Sequence, residues 1–300
     1  MLLYETFLFL PQGHRTNTMF FLPPPLIYIY RSRDTYGSKR HLSSRMLPRP
    51  AGGIMDKIIK VTLGLFIIIL AVFAAFVSYN AYIDSKYKNS LSSTYSYSCT
   101  FTTDAVLSNV TFFLPVPADM KGNSPIVTEI SNHNVTGLPQ DWSVSLYDTG
   151  KATLLKISAP TMGKPEINGS AQTTINMLAV TAPSSSPIDT RSPVANAAVF
   201  RPVQNIREVT CSGSNTTAGP HSCYRYRTSI YADYSAVPGA SVSISAYLDA
   251  NNAWNINQPE SNGYKNSVSV NLYGANHGWT MTDGWLESGI GSYSVPNLNS

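Results

Sequence analysis

Cys211 and Cys223 enclose Ser-Gly-Ser-Asn-Thr-Thr-Ala-Gly-Pro-His-Ser, a run of turn-forming residues, and this pair is the clearest candidate for chemistry in the chain. Two readings compete. A disulfide closing such a loop stabilises a fold by about 3 kcal/mol in the chain-entropy model. A metal site built from Cys211, His221 and Cys223 is the alternative. It offers only three ligands, in a His-Ser-Cys spacing that matches no zinc pattern. The disulfide is therefore the expected state, and no metal or other cofactor is expected. Cys99, the third cysteine, shares a strand face with Tyr95, Tyr97 and Phe101 and reads as a buried free thiol.

Catalysis finds little support. Beyond residue 84 the histidines are His133, His221 and His277, and the thirteen acidic residues are scattered. Asn276-His-Gly-Trp279 with Asp283 nearby is the nearest approach to a polar constellation, and a turn followed by a strand explains it equally well. Gly-x-Ser-x-Gly, His-Glu-x-x-His and phosphate-cradling glycine motifs are absent. A Ser/His/Asp triad assembles in space rather than in sequence, so a hydrolase stays open as a reading, but no catalytic residue is assigned.

Binding has better candidates. Trp254, Tyr264, Tyr273, Trp279 and Trp285 crowd the C-terminal third beside Asn251, Asn252, Asn271 and Asn276. Exposed rings next to amides form sugar- or protein-binding faces; the competing explanation is ordinary core packing. Arg225 and Arg227 alternate with Tyr224 and Tyr226, which reads as a solvated strand face, with a site for an acidic partner as the sharper alternative. Asn109, Asn134, Asn168 and Asn215 each begin an Asn-x-Ser/Thr glycosylation sequon with no proline in the middle.

The elements that must carry these residues are strands. Val242, Ile244, Ala246 and Leu248 alternate with Ser241, Ser243, Ser245 and Tyr247. The same period-2 pattern runs through Val268, Val270 and Leu272, through Trp142, Val144 and Leu146, and through Val110, Phe112 and Leu114. Successive strand side chains point to opposite faces, so each segment has one core face and one wet face, the signature of antiparallel sheets. Further strands are expected over 95–101, 126–130, 152–157, 173–180, 206–211, 223–231 and 278–282. No amphipathic helix of useful length competes with them. The expectation is an all-β, antiparallel, sandwich-like domain over 95–300. A boundary between two smaller units is conceivable at 183–202, where four prolines interrupt the pattern.

Ahead of that domain lies an apolar run over residues 61–79 with Lys57 and Lys60 before it. Nineteen residues at a helical rise of 1.5 Å cover roughly 28 Å, the thickness of a bilayer's hydrocarbon core. A single transmembrane signal-anchor is expected over 55–83 and a polar stalk over 84–94. A cleaved signal peptide is disfavoured, because the run exceeds the usual apolar region and no small-x-small site follows it. Residues 1–60 hold nine Lys/Arg against three acids, whereas residues 85–300 hold twelve basic and thirteen acidic side chains. Positive flanks stay cytoplasmic, so the β domain is expected outside the cell membrane. The near-neutral domain gives no reason to expect nucleic acid. Residues 1–54 read as a disordered basic segment, and Met55-Asp-Lys-Ile-Ile-Lys is a compact alternative start.

Three stretches, Val110-Thr-Phe-Phe-Leu-Pro-Val-Pro117, Trp142-Ser-Val-Ser-Leu-Tyr147 and Leu154-Leu-Lys-Ile-Ser-Ala159, stand behind this short anchor. In that order they resemble uncharacterised single-pass membrane-anchored envelope proteins of methanogenic archaea. The resemblance implies an archaeal envelope setting and carries no activity and no functional residue. The combined expectation is a cell-surface glycoprotein with a binding or structural role, its partners the lipid bilayer and envelope glycans or surface-layer proteins. An accessory subunit of a membrane complex and an extracytoplasmic hydrolase are the alternatives.

Overall fold

The computed structural model describes residues 52–150, 152–163, 174–211 and 221–293. The expectations for residues 1–51, Asn168 and Asn215 lie outside that set. Helix α1 (Gly52–Ser90) contains the apolar run, with no proline to interrupt it. Ile69 and Phe73 are 57% and 64% exposed, and the stretch is apolar all round, long enough to cross a membrane. An Asp-to-Lys pair four residues apart sits at each end of the run, Asp56–Lys60 at 2.9 Å and Asp84–Lys88 at 2.7 Å. That spacing and polarity suit a solvated helix turn. The expected polar stalk is different in detail: α1 continues to Ser90, and only Leu91 separates it from the first strand. Tyr87 explains the extension, because its ring packs edge-on against Trp254 at 5.6 Å and both are buried.

The remainder is mostly antiparallel β structure. In chain order the strands are β1 (Ser92–Thr103), β2 (Leu107–Pro115), β3 (Pro117–Ala118), β4 (Ser143–Asp148), β5 (Thr153–Met162) and β6 (Thr174–Ser184). They continue as β7 (Val199–Phe200), β8 (Gln204–Val209), β9 (Ser222–Ser235), β10 (Ser241–Asn255), β11 (Pro259–Tyr273) and β12 (Asn276–Gly291). The large sheet runs β4-β5-β2-β9-β12-β11-β10-β1-β6, with β8 added to β9, while β3 and β7 pair separately. Every pairing is antiparallel, as the alternation requires.

The sheet curls onto itself. Four strands separate β1 from β2 in the order, yet Phe101 of β1 stacks on Phe112 of β2 at 5.3 Å and 4°. Tyr97 Oη donates to the Pro115 carbonyl at 3.2 Å across the same interior. The two halves thus enclose one core in a sandwich-like manner. The core draws residues from both sides of 183–202, including Tyr97, Phe112, Ile157, Phe200, Ile244 and Leu286. Helix α2 (Pro125–Ser131) packs against β4 and β6, the two ends of the strand order. The strand expected over 126–130 is this helix. Ser124 caps it by accepting from Val127 N, Pro125 occupies the first turn, and Ile126 and Ile130, four apart, both face the core.

The proline-rich stretch over 185–203 is fastened to the sheet by buried amides. Asn252 accepts from Ile188 N at 3.0 Å and donates back to Ile188 O at 2.9 Å. Asn266 accepts from Phe200 N at 2.8 Å and donates to Tyr226 Oη at 2.7 Å. Such groups remain inside only because their donors and acceptors are matched. The short helix α3 (Pro193–Asn196) belongs to this strap. Gly284 is obligatory for a different reason: the Tyr226 ring lies on its Cα, so any added Cβ would collide with the ring.

Candidate binding face

Because the core takes one side of each strand, the opposite side of β9 presents Arg225, Arg227, Ser229, Tyr231 and Asp233 in steps of two. The ladder then decides which side chains meet. Tyr231 stands opposite Phe113 on β2 and opposite Trp279 on β12, and Phe113 stands opposite Lys156 on β5. Cross-strand neighbours sit about 4.5–5.5 Å apart, so rings in such a row must touch.

They do. Phe113 meets Tyr231 at 5.3 Å and Tyr147 of β4 at 5.1 Å, Tyr231 meets Trp279 at 5.3 Å, and Phe113 lies nearly parallel to Trp279 at 6.4 Å. Trp279 is 55% and Tyr147 50% exposed, with Met281 48% exposed farther along β12. This is a contiguous aromatic surface outside the core. In the next row Asp233 stands opposite both Thr111 and His277, and its Oδ1 lies 2.6 Å from His277 Nδ1. The rim of the platform is therefore polar. Rings with a polar rim bind ligands that offer apolar faces and hydroxyls.

Of the five aromatics expected on a binding face, the structure keeps only part. Trp254 and Tyr264 are interior: Trp254 packs on Tyr87, and Tyr264 Oη bonds the Ala198 carbonyl beneath the strap. They correct the expectation, since even-numbered positions on β10 and β11 face the core. Tyr273 is 75% exposed at the end of β11, and Trp285 is half-buried on β12 opposite Arg225. Trp279 alone of the five joins the platform.

Phe113, Tyr147 and Tyr231 were not singled out by sequence. Their signal was present: Phe113 is a large apolar residue at a wet position between core-facing Phe112 and Leu114. Tyr147 lies directly before the Asp148-Thr-Gly150 turn, whose Gly150 N bonds Asp148 Oδ1 at 2.7 Å, and nothing local to that turn marks its ring as part of a platform.

Cys211 and Cys223 form the expected disulfide, tying the segment two residues past β8 to β9. Both thiols are thereby consumed, and His221 faces Glu287 at 2.8 Å. Cys99 is a free, fully buried thiol; burial pushes its pKa up to about 12, against a smaller opposing effect of its contact with Tyr97. Asn109 is exposed in a β-bulge with φ of +56°, and Asn134 is exposed after α2. His133 is exposed in the same turn, with φ of +60°. The His277–Asp233 pair is 65% and 42% exposed on an open sheet face, where water competes for both groups.

No known protein family, no curated protein and no solved structure matches the chain.

Proposed function

We propose that this is a single-pass cell-surface protein whose β domain holds an envelope glycan on the Phe113–Tyr147–Tyr231–Trp279 platform. The supporting observation is that platform: four contiguous rings joined through Phe113, outside the core, across β4, β2, β9 and β12. Sugar rings carry C–H faces that stack on such surfaces, and hydroxyls find partners in the polar rim. The basic excess before α1 favours a cytoplasmic N-terminus and an extracytoplasmic domain, with α1 acting as a retained signal-anchor. Glycosylation at Asn109, Asn134, Asn168 and Asn215 belongs to this reading, as does the archaeal envelope setting implied by the resemblance.

Two measurements test it. Protease added to intact cells should remove the β domain and leave the N-terminal segment protected; digestion only after lysis would contradict the topology. Titration of the detergent-solubilised chain with a panel of soluble polysaccharides should quench tryptophan emission for at least one polymer. A flat response across the panel would contradict the glycan role.

A further inference from the structure

At the end of the same outer face nearer the disulfide, β8 and β9 enclose a cleft of about 450 Å³ lined by Asn205, Arg207, Arg225, Tyr226, Arg227 and Asp283. Arg207 and Arg225 stand directly opposite one another in the ladder, and Gln204 stands opposite Arg227. Like charges at opposed positions disfavour a sheet. Among the described residues no carboxylate lies within 4.0 Å of Arg207 or Arg225. The acid lining the cleft is Asp283, whose Oδ1 is 3.9 Å from Arg227 Nε, with both side chains more than half exposed, while Glu287 farther along β12 is engaged by His221 at 2.8 Å. A pair as exposed as Arg227 and Asp283 neutralises little. Glu208 is paired with Tyr224 and falls on the opposite side of the strand. The cleft is also shaped rather than flat: the β8 register shifts between Gln204 and Arg207, and Asn205 has φ of +52°. A bulge of this kind re-aims side chains.

We propose that this cleft is an anion site, and that the ligand of the aromatic platform is an acidic polysaccharide carrying carboxylate or sulfate groups; the second half rests on the glycan reading above. Guanidinium groups offer planar paired donors that match both anions. Arg225 and Arg227 share the outer face of β9 with Tyr231, so Arg227 and the platform are about 13 Å apart along the strand. Exposed Met281, opposite Ser229, lies between them. A linear polymer laid along β9 and β12 therefore meets cations at one end and rings at the other. β9 and β12 are hydrogen-bonded on each side, whereas β8 pairs only with β9 among the described residues, so polyglutamate tests whether an extended acidic polypeptide uses that edge instead.

The test uses the full-length chain in detergent, titrated with polygalacturonate, dextran sulfate, neutral dextran and polyglutamate. Wild type is expected to bind an acidic polysaccharide more tightly than neutral dextran, with the difference shrinking as salt rises. The double variant Arg225→Gln/Arg227→Gln should lose about tenfold or more of that affinity at an unchanged melting temperature. Arg225→Lys/Arg227→Lys, which keeps charge without the planar fork, should recover part of it. Wild-type affinity in the Gln variant, absence of binding to both acidic polysaccharides, or equal binding of polyglutamate would each overturn the inference. Trp279→Ala separates the two readings: full affinity there, with loss in the Gln variant, keeps the anion site and removes the platform.

Discussion

Phe112 and Phe113 are neighbours in sequence and opposites in role. Phe112 is fully buried, stacked on Phe101 and edge-on to Tyr234. Phe113, one residue on, turns to the other face and touches Tyr147, Tyr231 and Trp279. The same contrast runs along β9, where Ile230 is buried and Tyr231 is outside. Inner aromatics close the curled sheet over one core. Outer aromatics cover only one another, leaving Trp279 and Tyr147 at least half exposed, and the core does not account for them. A face that holds large rings without enclosing them is better explained by a ligand than by folding.

Substitutions can break or sharpen this contrast. Phe112→Ala should cost about 3–5 kcal/mol, because a ring leaves a cavity among packed neighbours; chemical denaturation measures it, and a loss near zero would erase the distinction between the faces. Reduction of the Cys211–Cys223 bond should lower stability by about 3 kcal/mol, the loop being twelve residues in separation. Equal melting with and without reductant would remove the bridge from the account. Asn266→Ala should cost about 1–3 kcal/mol, since Phe200 N loses its buried acceptor. Here a silent change would mean that the strap needs no clamp.

Asp249 is the smallest and most specific probe. It stands opposite Lys265, and burial raises its pKa despite the opposing effect of that lysine. A carboxyl raised in the folded state binds its proton more tightly there than when unfolded. Its stabilising contribution is therefore present below its unfolded value of 3.8 and fades as pH rises through the folded one. Asp249→Asn should leave neutral-pH stability unchanged or slightly higher and flatten the acid limb of the pH profile. A variant less stable at neutral pH would show instead that Lys265 outweighs burial.

Much of the sheet was legible because alternation is a local property: Val242 to Leu248 and Val268 to Leu272 reveal their inward faces without knowledge of partners. The disulfide was legible for a similar reason, two cysteines around a run of turn formers. What alternation could not give is which strands become neighbours. The platform depends on β2, β9 and β12 lying side by side, strands far apart in the chain, so nothing local joins Phe113 to Tyr231. Helix α2 was misread because two isoleucines four apart suit either period, and the Ser124-Pro125 cap was the deciding signal. The clamping role of Asn252 and Asn266 has no local signal, because their buried partners come from a strap that has no pattern of its own. Trp254 followed the opposite path, its burial supplied by Tyr87 from the end of α1.

The most direct test of the central claim is a paired measurement on Trp279→Ala, thermal melting alongside affinity for whichever polysaccharide the wild-type chain binds. The account predicts a melting curve close to wild type, with less than about 1 kcal/mol lost, and affinity reduced by about tenfold or more. A destabilisation approaching that of Phe112→Ala, or undiminished binding in a well-folded variant, would contradict it.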